Sequence, residues 1–124
     1  MSRFISIALL LCMTLYAEDF ISEFEYGQML YQNPRGVSCV PCHAETGEGT
    51  VIASYRDKNG NKKELRGPDI RFDDLDAYRK SFKKGPGVMP RYLLTDKEIR
   101  AIYRFIRQVN SEKDEDGIYG HDAK

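Results

Sequence analysis

The sequence is sparing with the residues that usually give a chain its character. In 124 residues it has three cysteines, two histidines and no net charge, because 19 Lys and Arg stand against 19 Asp and Glu. Balanced charge leaves no electrostatic footprint for nucleic acid. No run of apolar residues reaches the roughly 18 that a membrane-spanning helix needs. There is no internal repeat. The length leaves room for one domain, and an apolar share of 41% against 31% charged suits a folded chain rather than a disordered one.

The first segment stands apart from the rest. Arg3 precedes a nearly unbroken apolar stretch over residues 4–16, and acidic residues begin at Glu18 and Asp19. This pattern predicts a secretory signal over residues 1–17, cleaved after the small Ala17, and therefore export to the periplasm. Leu9-Leu10-Leu11-Cys12 is a faint lipoprotein-like match. Leu11 stands where such signals carry a small residue, and the apolar run continues past Cys12, so plain cleavage without lipid anchoring is expected. Cleavage leaves Cys39 and Cys42 as the cysteines of the exported chain. A domain this small usually needs a staple. Two cysteines three residues apart close too short a loop to supply it as a disulfide.

Residues 18–32 read as a helix with Phe20, Phe24, Gly27 and Tyr31 on one stripe, broken by Asn33-Pro34-Arg35-Gly36. Residues 37–44 have room for about two helical turns. β-formers over residues 50–55, followed by turn chemistry at 57–61, predict a small hairpin. Leu75, Tyr78 and Phe82 share a face of a middle helix over residues 73–84, and the Gly/Pro run after it cannot be regular. Thr95-x-x-Glu98 is a capping-box signature that starts a last helix with Ile99, Ile102, Tyr103, Ile106 and Val109 buried. From Ser111 the pattern stops. Residues 111–124 read as a solvated, disordered acidic tail, which makes 18–110 the domain. Three or four helices joined by long loops result. Such loops bury little by themselves and become reasonable when they wrap a large apolar ligand.

Cys39-Val40-Pro41-Cys42-His43 is the haem-attachment pattern Cys-x-x-Cys-His. On a helical turn, positions i, i+3 and i+4 share a face. Both sulfurs can then reach the vinyl groups of one haem while His43 is carried beneath the ring to iron. Zinc fits less well, since Cys39, Cys42 and His43 are three ligands where a structural site wants four, and His121 is isolated in the tail. A Cys-x-Pro-Cys thiol-disulfide site is the other rival. It belongs at the start of a helix in a strand-helix-strand fold, whose buried strands this sequence lacks. For a second axial ligand the chain offers His121, Met29 and Met89. Met29, on the first helix, reads as ordinary packing. Met89 sits in Gly-Pro-Gly-Val-Met-Pro, where Pro90 favours an extended backbone and the glycines permit close approach to a flat surface. Ligation by His43 and Met89 raises the haem potential above that of a two-histidine site. It also closes both faces of the iron, so no enzymatic activity is expected.

With these residues in place, the chain resembles a monohaem class I cytochrome c of the small bacterial type over roughly residues 20–109. The resemblance is carried by Gly27-x-x-x-Tyr31, Cys39-Val-Pro-Cys-His43, Gly67-Pro68-Asp69-Ile70, Met89-Pro90, and Leu94-Thr-Asp-Lys-Glu-Ile99 leading to Tyr103. It implies a mostly α, cytochrome c-like fold of three to four helices around one covalent haem c. It implies that the first and last helices cross, with Gly27 giving room to Tyr103. It also implies that the Pro68 carbonyl accepts the free ring N–H of His43. The function implied is one-electron transfer in the periplasm between redox proteins, as a monomeric carrier or as the cytochrome c subunit of an oxidoreductase. Residues 50–66 form a longer excursion than the smallest members have, which leaves Tyr55, Arg66 and Tyr92 as candidates to cover the haem propionates. Arg79, Lys80, Lys83, Lys84 and Arg91 lie beside Met89 in the sequence, as a basic collar that would steer acidic partners.

Overall fold

Capping chemistry decides where the first helix begins. The computed structural model describes residues 20–84 and 87–115. Helix α1 (Glu23–Gln32) starts where Ser22 and Glu25 close a reciprocal capping box. The Ser22 hydroxyl accepts the Glu25 backbone N–H at 3.2 Å, and the Glu25 carboxylate accepts the Ser22 N–H at 2.9 Å. The start expected at residue 18 is therefore too early, and Phe20 is fully exposed instead of joining the apolar stripe. The signal over residues 1–17, Cys12 and His121 lie outside the described residues.

Among the described residues three more helices and two strands follow. Helix α2 (Val40–His43) is one turn rather than two, with Pro41 near its start. Strands β1 (Val51–Arg56) and β2 (Lys62–Arg66) form the expected antiparallel hairpin, with Ala53 opposite Leu65, Tyr55 opposite Lys63 and an irregularity between Val51 and Ala53. The Asp57 carboxylate shapes its turn by accepting the N–H groups of Asn59 at 2.8 Å and Asn61 at 2.9 Å. Helix α3 (Leu75–Lys83) is capped by Asp74, whose carboxylate accepts the Ala77 N–H at 2.7 Å. Helix α4 (Asp96–Glu115) carries the expected Thr95–Glu98 box at its start. The helix runs on through Glu115, into the stretch read as tail, and the remainder of that stretch, residues 116–124, lies outside the described residues.

The core lies where α1 packs on α4. A Cβ on Gly27 would stand 2.2 Å from the Ala101 carbonyl oxygen and 2.9 Å from the Phe105 Cβ. The two backbones thus meet at Gly27, and the residues it makes room for are Ala101 and Phe105, not Tyr103. Tyr103 instead packs edge-on against Tyr78 of α3, with ring centroids 5.3 Å apart. Phe105 contacts Phe24 at 5.3 Å and Tyr31 at 5.5 Å. Ile99, Ile102 and Ile106 are buried as expected. Two buried tyrosines fasten this core to the loops around the site: the Tyr31 hydroxyl donates to the Ala44 carbonyl at 2.6 Å, and that of Tyr78 to the Ile70 carbonyl at 2.9 Å. Burial pushes both phenols well above the usual tyrosine range.

Candidate functional site

Helix α2 is held as a tight turn at both ends. The Cys39 N–H donates to the Tyr31 carbonyl at 3.1 Å, and the Cys39 carbonyl accepts from Cys42 at 3.2 Å and His43 at 2.9 Å. Ala44, at φ +61°, ends the turn, and the chain folds back so that the Gly49 N–H meets the His43 carbonyl at 3.0 Å and that of Thr50 meets the Cys42 carbonyl at 3.1 Å. The hairpin then returns the chain to the same place. A Cβ on Gly67 would fall 1.7 Å from the Cys42 carbonyl oxygen, so only glycine lets this segment lie against the turn. The close approach places the Pro68 carbonyl 2.9 Å from Nδ1 of His43. A carbonyl can only accept, so Nδ1 carries the proton and Nε2 is the nitrogen left for a metal.

A cavity of about 270 Å³ opens beside this turn. Cys39, Cys42, His43 and Pro68 form one wall, Ile52, Leu65 and Arg66 at the base of the hairpin form another, and Val88, Met89, Pro90 and Tyr92 form the third. A second cavity of about 90 Å³ shares Cys39, His43, Pro68 and Met89 and is closed by Tyr31, Tyr78, Phe82 and Ile102 from the core. Together they reach the size of small-molecule sites, roughly 300–1,000 Å³. The sequence-predicted set of Cys39, Cys42, His43, Pro68 and Met89 is thus brought to one place. Arg66 and Tyr92 also line the larger cavity, whereas Tyr55 is exposed and does not. Met29 is 53% exposed on α1, neither packed in the core nor at the cavity, which corrects its reading as packing.

The basic collar is also changed by the structure. The Arg79 guanidinium lies between Asp96 at 2.7 Å and Asp76 at 3.0 Å, so its charge is already matched. Lys80, Lys83, Lys84 and Arg91 are exposed. Sequence reasoning missed Ile52 and Leu65 as cavity residues. No alternation marked them: Ile52 shares its strand phase with Ser54 and Arg56, and Leu65 stands alone among charged residues.

The donor set fits a haem. Two thiols and an imidazole share one wall, a thioether stands on another, the rest of the lining is mostly apolar, and Arg66 is a cation suited to carboxylates. It fits the rival chemistries poorly. Burial, with Cys42 adding to it, pushes the Cys39 thiol up to about 11, whereas a reactive redox thiol is lowered. The one sheet among the described residues is the two-stranded hairpin, which gives no strand-helix-strand frame. Among the described residues, no three His, Cys, Asp or Glu side chains converge as a metal site, as structural zinc would need.

No curated protein and no solved structure matches the chain. Residues 22–106 match the family described as cytochrome C oxidase, cbb3-type, subunit III. The matched span runs from the Ser22 cap through the Cys-x-x-Cys-His turn, the hairpin and Met89 to Ile106 in α4. The chain therefore belongs to the cbb3-type subunit III family of c-type cytochromes, whose domain transfers electrons through a c-type haem.

Proposed function

We propose that this protein is an exported, monomeric one-electron carrier. One haem c is attached by thioethers at Cys39 and Cys42, and its iron is bound by His43 Nε2 and Met89. The single observation that carries this reading is the His43 Nδ1–Pro68 bond at 2.9 Å on one wall of the two cavities, with Met89 on another wall of both. The haem, when bound, supplies the Fe(III)/Fe(II) couple. The chain's own residues do the rest. Pro68 fixes the imidazole ring and its tautomer. Ile52, Leu65, Val88 and Pro90 give the cavity an apolar lining, a lever on potential. Arg66, now paired with Glu64 at 3.0 Å, is placed to meet a propionate.

Acidified acetone is the direct test. Haem that stays with the protein, and that washes out or fails to load when Cys39 and Cys42 are both replaced by Ala, supports covalent attachment; colourless protein or extractable pigment overturns it. The ferric protein should show the weak near-infrared band of a thioether–iron bond, and Met89→Ala should lose it. The exposed Lys80, Lys83, Lys84 and Arg91 favour acidic redox partners, so electron-transfer rates should fall as salt is added.

A second reading makes the chain a subunit of a larger oxidoreductase. The family description names an oxidase subunit, and Val88 and Leu93, on either side of Tyr92, are 65% and 96% exposed and available to a partner. A complex of fixed stoichiometry that survives gentle extraction would favour this over a free carrier.

A further inference from the structure

The loop that carries Met89 is fastened across the cleft to the segment that leads into Cys39. Residues 33–37 follow α1, and residues 92–98 run from the Met89 loop into α4. The Arg35 guanidinium donates to the Glu98 carboxylate at 2.8 Å and to the Leu93 carbonyl at 3.0 Å. The Tyr92 hydroxyl donates to the Val37 carbonyl at 2.7 Å. These bonds link two segments more than fifty residues apart in the chain, one ending shortly before the first thiol and the other starting shortly after the thioether.

Both partners of this fastening are themselves held. Pro34 is fully buried, and Arg35 sits at φ +59°, a backbone region that a residue with a side chain keeps only when its surroundings impose it. The buried Glu98 carboxylate also accepts from the Thr95 N–H at 2.7 Å, the Thr95 hydroxyl at 3.0 Å and the Tyr26 hydroxyl at 3.3 Å. The Tyr92 ring packs edge-on against Phe82 of α3 at 5.9 Å. One carboxylate therefore caps α4, anchors Arg35 and reaches α1, while one tyrosine joins the rim of the cavity to both α3 and residue 37.

We propose that Arg35 and Tyr92 are positioning residues that latch the Met89 loop against the cleft and so set how readily Met89 gives way to a competing iron ligand. The inference rests on the reading of Met89 as the axial ligand. Neither residue is a proposed ligand of the iron. They act by raising the free energy of the open loop, since a competitor binds only the fraction of molecules in which Met89 is displaced.

The experiment titrates the ferric holoprotein with imidazole and measures its midpoint potential, in wild type, Tyr92→Phe, Arg35→Gln and Arg104→Gln. Tyr92→Phe keeps the ring and loses only the hydroxyl. Arg104→Gln breaks the Glu23–Arg104 ion pair between α1 and α4, away from the latch, and reports what a merely structural loss does. The latch predicts that imidazole binds about five- to tenfold more tightly to Tyr92→Phe and Arg35→Gln, the size expected for losing one or two hydrogen bonds. Their potentials should fall, and Arg104→Gln should match wild type in both measurements. If wild type shows the near-infrared band while imidazole affinity and potential are unchanged in Tyr92→Phe and Arg35→Gln, or changed equally in Arg104→Gln, the latch is overturned alone. If wild type has no such band, the Met89 reading falls and the latch falls with it.

Discussion

The helix pair and the hairpin are built on opposite terms. Where α1 meets α4 the backbones touch at Gly27, Phe105 is wedged against two aromatic rings, and Ile102 and Ile106 are all but sealed from water. Every residue of β1 is exposed, and of β2 only Leu65 is partly covered. Apolar burial is the main favourable term in folding, so the helix pair holds the chain together. A two-stranded ribbon alone is marginal in water. The hairpin persists through its own ladder, the Asp57 turn and its base at Gly67, and it gives the cavity Ile52, Leu65 and Arg66 in return. One region supplies stability, and the other supplies a wall of the site.

The contrast breaks most readily by hollowing out the helix pair. Phe105→Ala should lower the unfolding free energy of the holoprotein by about 4 kcal/mol, read from its denaturant midpoint. Crowding the same contact comes next. Gly27→Ala forces a methyl onto the Ala101 carbonyl and should cost about 3 kcal/mol, with α1 displaced from α4.

Glu98→Gln should cost about 2 kcal/mol by weakening the charge-assisted bonds from Arg35 and the Thr95 N–H. It also carries a pH signature. Arg35, and after it the Thr95 N–H, hold the Glu98 carboxyl at about 2, against 4.5 for an ordinary glutamate. A carboxyl lowered in the folded state adds stability that is fully present above its unfolded pKa and is lost as pH falls through the folded one. Wild-type stability should therefore drop between pH 4.5 and about 2, and the drop should be shallower in Glu98→Gln. Equal slopes in the two proteins would remove Glu98 from the account. The smallest effect belongs to the hairpin. At Gly60 a Cβ meets nothing within 4 Å, so Gly60→Ala costs only the strain of φ +81°, about 1 kcal/mol. A loss there as large as that of Gly27→Ala would erase the distinction between the regions.

What could be read from the sequence had local chemistry behind it. Cys39, Cys42 and His43 are legible because one helical turn fixes their relation. The Thr95–Glu98 box and the Asp57–Asn61 turn are legible for the same reason. Ser22-x-x-Glu25 carries the same capping signal as Thr95-x-x-Glu98, and reading it would have placed the start of α1 correctly. The end of α4 was missed because residues 111–115 continue a helix without an apolar stripe to mark it. Phe105 was missed because the isoleucines drew the stripe too narrowly, leaving out the flank that faces α1. The long-range partners of Arg79 and Arg35 were out of reach, whereas Asp76, three residues before Arg79, was not. Asp96 and Glu98 are distant in the chain from both, and no periodicity announces a polar contact of that kind. Pro68 was placed by resemblance, and its structural reason is the collision that any side chain at residue 67 would suffer.

The ribbon that borders the cavity leaves the outer edge of each strand unpaired, for its sheet contains β1 and β2 alone among the described residues. Such edges are templates on which a second copy can add itself as a further strand. Arg56, Lys62 and Lys63 crowd the turn end with positive charge, and the irregularity between Val51 and Ala53 interrupts the spacing that a docking strand would have to match. Both features discourage self-assembly into extended fibres.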